Sequence, residues 1–327
     1  MSKLSTSLKA LIHAPHARPG PVRTSKRIAA VYAAIARDAT ARGVGVPAWL
    51  TISTAATMTL NSPDSLLELY RIATNTNTTT TITTVGVSDS VSTAELMREV
   101  GLKCISFNGI PRTINCLAAF HAGLPRHVSS KLSTVPTRHL SEPTLQARLR
   151  RGAQLWTSIY RPLDAKLTAK LAQSHPDLPV HILESHYALL LANPPPGSGS
   201  GSGSMSASAS AVEPSQRVGR VLTSLTAIAC LRAQTGVAPQ VVSHVFGLRK
   251  AFEDGSADAG AGTGTGGEQQ QQQQQVVIDG GEWLASDEGG VWILEAVDRI
   301  VAALGEGDED GAEMGFAPLP TRLKAKL

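Results

Sequence analysis

Two stretches of this chain cannot pack a core, and they fix where a core can be. Residues 194–214 read PPPGSGSGSGSMSASASAVEP, and 254–275 is glycine-rich and ends in seven consecutive glutamines. Glycine, serine and glutamine at that density bury too little apolar surface to offset the entropy of ordering them, so the first reads as a flexible linker and the second as a disordered insertion reaching to 280. The packed parts are then 25–193, 215–253 and 281–304, preceded by a loose basic arm over 1–24 and followed by a tail over 305–327. Of the 327 residues, 42% are apolar, enough for a core, and only 4% are aromatic, which argues against a nucleic-acid surface built on stacking rings.

Everything that packs reads as helix. Helices are expected over about 25–42, 47–60 and 63–74, the third capped by Asn61 or Ser62 with Pro63 in its first turn and Asp64 at its positive end. The threonine-rich TNTNTTTTITT that follows is expected as a surface loop. Ser92 or Thr93 then caps a helix over 94–107, and an Asn108-Gly109 turn with Pro111 leads into another over 113–122. Helical spacing returns over 145–160, 164–172 and 178–192. Ser286, with Asp287 and Glu288 behind it, starts a last amphipathic helix carrying Trp292, Val297, Ile300 and Leu304.

The stretch 220–252, RVLTSLTAIACLRAQTGVAPQVVSHVFGLRKAF, reads as two helices about a tight turn. Val221, Leu225 and Ile228 share one face of the first, and Val241, Val245, Leu248 and Phe252 one face of the second. Gly236 ends the first helix and Pro239 starts the second. His244 lies three residues after Val241 and four before Leu248, on the flank of the buried stripe, a position that suits a proton donor. The earlier helix-NGIPR-helix has the same layout. An internal duplication giving two related helical halves is one reading, and chance likeness of two Ala/Leu-rich hairpins the other.

The net charge of +4 is unevenly laid out: Lys3, Lys9, Arg18, Arg23, Lys26, Arg27 and Arg37 all precede the first acid, Asp38, so the N-terminus reads as a solvated basic arm. Cys104, Cys116 and Cys230 sit in apolar runs without a CxxC pair, which points to reduced, buried thiols rather than disulfides. His181 and His186 are five apart, on different sides of a helix, and the other histidines lack ligand spacing, so no metal is expected. No apolar run approaches the roughly 18 residues that span a bilayer, so no membrane insertion is expected. The ending Ala325, Lys326, Leu327 is a conservative variant of the Ser-Lys-Leu address read by the peroxisomal import receptor, which makes the peroxisomal matrix the expected location. The rival is a mitochondrial address in the acid-free, Ser/Arg/Lys-rich N-terminus, against which the following residues read as folded helices rather than a leader.

Four segments together resemble the carboxymuconolactone decarboxylase-like group of the AhpD-like superfamily, over about 94–252 and best from Arg151 onward. RGAQLWTSIYRPLDAKL is similar to that family's entry segment, and PVHILESHYALLL to its glutamate-bearing helix, with Glu184 in the glutamate's place. RVLTSLTAIACL is similar to its arginine-led helix, placing Arg220, and GVAPQVVSHVFGL to its histidine helix, placing Gln240 and His244. The family's aromatic-Gly pair is not kept in Tyr187-Ala188-Leu189-Leu190, and its closing helix is interrupted by the Gly/Gln insertion. With the terminal tripeptide, the chain also resembles a group of fungal peroxisomal proteins related to these decarboxylases.

The resemblance implies an all-α, AhpD-like helical bundle that assembles as a homo-oligomer. It implies a cofactor-free lyase on a small carboxylated lactone or related acid, because such a substrate holds the electrons left by carbon dioxide as its own enolate. Arg220, with Gln240, would hold the substrate, His244 would donate to the oxyanion or return the proton, and Glu184 would set the histidine's tautomer. The alternative is a non-catalytic helical binding or assembly protein. A thiol-dependent antioxidant is a third reading, weakened because Cys116 and His121 lack the second cysteine of the superfamily's CxxCxxxH motif.

Overall fold

A computed structural model of the chain describes residues 3–76, 87–194, 218–258 and 278–305, and among these the regular structure is entirely helical. The tripeptide Ala325-Lys326-Leu327, most of the expected linker and insertion, and 77–84 of the threonine-rich stretch lie outside the described residues. The arm expected to be loose carries a short helix, α1 (Thr6–Ile12), and a 3₁₀ turn at Pro15–Ala17. Then come α2 (Ile28–Ala41), α3 (Val46–Thr59) and α4 (Pro63–Thr76), close to their expected bounds. Asn61 takes a left-handed conformation (φ 56°), and Ser62 stands at the head of α4, its carbonyl accepting from the Leu66 amide at 3.2 Å while its hydroxyl donates to the Val22 carbonyl at 3.0 Å and ties the arm down.

The next helix, α5 (Val87–Lys103), begins earlier than expected. Ser92 and Thr93 lie inside it, and Asp89 in its first turn supplies the negative charge that a helix N-terminus favours. A separate turn, α6 (Ile105–Asn108), precedes α7 (Ile110–Gly123) and the short α8 (Arg126–Ser129). The two turns that look alike in sequence share one device: Gly109 (φ +77°) and Gly236 (φ +73°) adopt a conformation disfavoured for L-residues, and a proline follows in the first turn of the next helix.

After α9 (Glu142–Tyr160), opened by a capping box of Ser141 and Thr144, come α10 (Asp164–Ser174) and α11 (Asp177–Val180). The expected helix over 178–192 is instead wound mostly as a π-helix, His181–Leu191, which ends on an i→i+5 bond from the Ala192 amide to the Tyr187 carbonyl at 2.8 Å. The chain resumes with α12 (Arg220–Gln234), α13 (Ala238–Glu253), α14 (Gly281–Ala285) and α15 (Asp287–Gly305). Ser286 caps α15 as expected, its hydroxyl accepting from the Gly289 amide at 3.1 Å.

Two helices lie at the centre, α3 and α12, and their sequences explain why. TISTAATM and VLTSLTAIA carry small or apolar residues all round, so neither has a face suited to water, and both are buried almost throughout. Three of their hydroxyls return to their own backbone, Thr57 and Thr59 donating to the Ser53 and Ala55 carbonyls at 2.7 Å and Thr226 to the Leu222 carbonyl at 2.8 Å, whereas those of Thr51, Ser53 and Thr54 are buried without a partner among the described residues. Helices α2, α4, α5 and α15 pack around this pair with their amphipathic faces inward. A smaller apolar cluster, Trp156, Ile159, Tyr187 and Leu191, joins α9 to the π-helix. The two approach backbone to backbone at Gly152, where an added Cβ would lie 2.5 Å from the Ala188 Cα.

That contact makes a prediction. Gly152→Ala forces the π-helix away from α9 and should cost about 1–3 kcal/mol of unfolding free energy in urea. Gly290→Ala in α15, where an added Cβ meets nothing within 4 Å, should be neutral or stabilising.

Candidate functional site

Two helix ends converge where α9 finishes and α12 begins, and α13 crosses both. The last carbonyls of α9 have no partners within their own helix, and two cations answer them. Arg220, the first residue of α12, donates from Nη2 to the Ser158 carbonyl (3.2 Å) and the Gly247 carbonyl (2.6 Å), and from Nε to the Ser158 hydroxyl (2.9 Å). Its Nη1 donates to Ser224 one turn along α12. Lys250 donates to the Ile159 carbonyl at 3.1 Å and also to that of Arg161. Gly247 lets α13 come this close, since an added Cβ would lie 2.8 Å from the Ile159 side chain. Arg220 is buried with no carboxylate bonded to it, and burial pulls its pKa down to about 10. One Nη1 N–H is left uncommitted by these bonds.

His244 is buried on the inner side of the same junction. Tyr187 donates its hydroxyl proton to the Tyr160 oxygen at 3.1 Å, so Tyr160 turns its own proton to His244 Nε2, 3.2 Å away. The imidazole proton then belongs on Nδ1, which is buried without a partner. Burial, with Arg220 adding to it, drives the histidine pKa down to about 4, so the ring is neutral near pH 7. Burial likewise raises both tyrosines. Trp156 leans on Tyr160 with ring centres 4.2 Å apart and closes this aromatic wall.

A pocket of about 420 Å³ opens on the other side of Arg220. Arg151, Arg161, Thr157, Ser158, Asn193 and Thr223 contribute its polar wall, and among the described residues no carboxylate lines it. Arg151 and Arg161 form no side-chain hydrogen bond or ion pair among the described residues, and burial lowers the pKa of Arg151. Directly behind the wall lies Lys103, fully buried, whose Nζ donates to the Leu191 and Val218 carbonyls (both 2.7 Å), the Asn193 side-chain oxygen (3.1 Å) and the Thr223 hydroxyl (3.2 Å). Burial pulls this amine down to about 7, against four oxygens that suit the ammonium form. All four oxygens come from residues that line the pocket.

Of the residues expected from sequence, Arg220 and His244 meet at this junction. Glu184 and Gln240 do not. Glu184 is exposed on the π-helix, and the residue of that segment that reaches the histidine is Tyr187, so a tyrosine relay and not a carboxylate sets the tautomer. Gln240 is exposed in the first turn of α13, one turn before His244. Tyr160, Tyr187 and Lys103 were missed by sequence reasoning. Lys103 had left a trace, because it falls in phase with the buried stripe Leu96, Val100 of α5, where a lysine is out of place.

Two of the three thiols meet although they are far apart in sequence. Cys104 pairs with Cys230, the Cys230 Sγ donating at 3.5 Å, while Cys116 lies apart. All three are buried; burial and the Cys230 contact raise the Cys104 pKa, and burial raises that of Cys116 to about 12, so both sulfurs stay protonated and weakly nucleophilic. Among the described residues, no cluster of three or more metal-ligating side chains occurs.

His244 makes stability depend on pH. The unfolded chain binds a proton on this histidine near 6.5 and the folded chain only near 4, so stability should fall as the pH drops from about 6.5 to about 4, by on the order of 3 kcal/mol from this group. Urea titrations at pH 7.0, 5.5 and 4.5 should show the decline, and His244→Gln should flatten it. Compared with protein-family models, with curated proteins and with solved structures, the chain matches none of them.

Proposed function

We propose that this protein holds a small carboxylated acid in the pocket that opens on Arg220, as a carboxymuconolactone decarboxylase-like protein would, and that binding comes before turnover in what it does. One observation carries this reading: the pocket presents Arg151, Arg161 and Arg220 with no carboxylate among its lining residues. Arg220 is buried, Arg151 half-buried and Arg161 exposed, and although the Asp254 charge acts on Arg220 and Arg161 from outside the pocket lining, guanidinium groups gathered on one wall favour an anion and match a carboxylate in two-point hydrogen bonds. A volume near 420 Å³ suits a small organic acid rather than a polymer.

Lyase chemistry is the second reading, supported by the Tyr187–Tyr160–His244 relay and its buried Nδ1 proton. A general acid must lie within hydrogen-bond reach of the atom it protonates, and His244 does not line the pocket; Ser158 and Arg220 stand between. Binding without turnover therefore takes precedence. In the decarboxylation, Arg151 and Arg161 would hold a carboxylate that is retained, a second carboxylate would leave as carbon dioxide, and the enolate left behind would need a proton delivered past Ser158. The Ala325-Lys326-Leu327 ending supports a peroxisomal matrix setting, reached through the import receptor, over the mitochondrial alternative. A homo-oligomer remains part of the proposal through the family resemblance.

Thermal shift and calorimetry with a panel of mono- and dicarboxylic acids at low salt test the binding. An acid at about 100 times its Kd should add about 2.7 kcal/mol to the unfolding free energy, and Arg151→Gln should weaken its binding about tenfold or more. Melting unmoved by every acid would defeat the proposal. Turnover is tested separately by the absorbance of carboxylated lactones: loss of signal that His244→Ala leaves at the normal rate would remove the histidine from the chemistry.

A further inference from the structure

Helix α1 keeps an apolar stripe that it buries against none of the described residues. Leu4, Leu8, Leu11 and Ile12 recur at i, i+4, i+7 and i+8, the spacing that lines one side of a helix, yet they are 53%, 44%, 62% and 48% exposed. The helix is properly started, with the Ser5 hydroxyl accepting from the Leu8 amide at 3.2 Å, and no residue within it is buried. The chain is first fastened to the body at Val22, whose amide donates to the Asn61 carbonyl at 2.9 Å and whose carbonyl accepts from Ser62. Everything before that point, α1 included, is an arm laid outside the core. Lys9 lies at the border of the apolar stripe, His13 on the far side, and Lys3 just before the helix.

The arm's charge is as one-sided as its helix. Lys3, Lys9, Arg18, Arg23 and Lys26 are all exposed, and no Asp or Glu occurs before Asp38. An apolar stripe alone would fit many partners, and a basic arm alone would be a solvated tail. Together they fit a surface that offers an apolar layer beneath a diffuse negative field, which is what an anionic bilayer presents. A groove on a protein would have to supply a shaped apolar trough and acidic rims in matching register; a lipid surface needs no register, and a helix of under two turns offers little to set one.

We propose that α1 is a peripheral membrane contact, lying in the headgroup layer of an anionic bilayer with Leu4, Leu8, Leu11 and Ile12 inward and the arm's cations against the lipid charges. With only four aliphatic side chains to insert, the attachment is weak, reversible and sensitive to salt. The proposal is independent of the acid pocket, which lies on other helices.

The purified full-length chain, sedimented with 100 nm vesicles of phosphatidylcholine alone or of phosphatidylcholine and phosphatidylglycerol at 7:3, tests this. The bound fraction should be negligible on the neutral vesicles and substantial on the anionic ones, should collapse in 0.5 M NaCl, and should fall about fivefold in Lys9→Ala. Leu8→Glu with Leu11→Glu should abolish it while leaving the melting temperature unchanged, because α1 contributes nothing to the core. No sedimentation with anionic vesicles, equal sedimentation with neutral ones, or full binding by the double variant would each overturn the proposal. So would a concentration-dependent dimer that the double variant dissolves without any vesicle effect, which would assign the stripe to a second copy of the chain.

Discussion

A buried ammonium has to be surrounded by oxygen, and Lys103 finds its oxygens on two pieces of chain that are far apart in sequence. Leu191 and Asn193 lie at the end of the π-helix, Val218 and Thr223 at the start of α12, on either side of residues 195–217. One side chain from α5 therefore fixes where the first long helical stretch ends and where the central helix α12 begins. Arg220 starts α12, and its position at the end of α9 follows from that anchoring. The pocket wall, the arginine in it and the histidine behind it are all referred to this one charge. Taking the lysine away would leave the Leu191 carbonyl buried without its 2.7 Å donor and the Val218 carbonyl with only a 3.5 Å bond from the Thr223 hydroxyl, a loss larger than the interaction's net contribution when intact.

The junction is held mainly by cations on helix carbonyls and by tyrosine hydroxyls. Arg220 and Lys250 close α9, and Arg220 does so without a bonded carboxylate to neutralise it. Burial, with the Arg220 guanidinium adding to it, keeps the imidazole neutral, which is why the histidine is a donor in waiting rather than a charge. The structure is thereby biased toward accepting negative charge from outside on the Arg220 side, while the His244 side stays dry and uncharged.

The helices were legible where periodicity and punctuation agreed. Gly236 and Pro239 mark the turn into α13, Ser286 marks the start of α15, and Pro63 the start of α4, each because the local backbone needs that residue type there. The start of α5 was misread because Ser92 and Thr93 look like caps, although serine and threonine are tolerated inside a helix whose packing outweighs their propensity. The site was half legible. His244 announces itself as a polar residue on the flank of an apolar stripe, whereas Arg220 and Glu184 were expected from the family resemblance alone, which carries no information on how 178–192 winds. The π-helix takes roughly one more residue in each turn, and its register brings Tyr187 to the histidine while leaving the glutamate in water.

That winding also determines how this segment tolerates changes in length. A π-helix is a helix carrying extra residues, so shortening 181–191 by one position is a smaller backbone disturbance here than in an ordinary helix: the hydrogen bonds can close in the tighter pattern instead of breaking. The damage would fall on phase. Side chains beyond the deletion would rotate about the axis, carrying the phenol of Tyr187 off Tyr160 and lifting Ala188 from the notch at Gly152. Insertions and deletions in this stretch would therefore be filtered by the hydroxyl relay rather than by helix formation, and the segment could change its length only by giving up its link to His244.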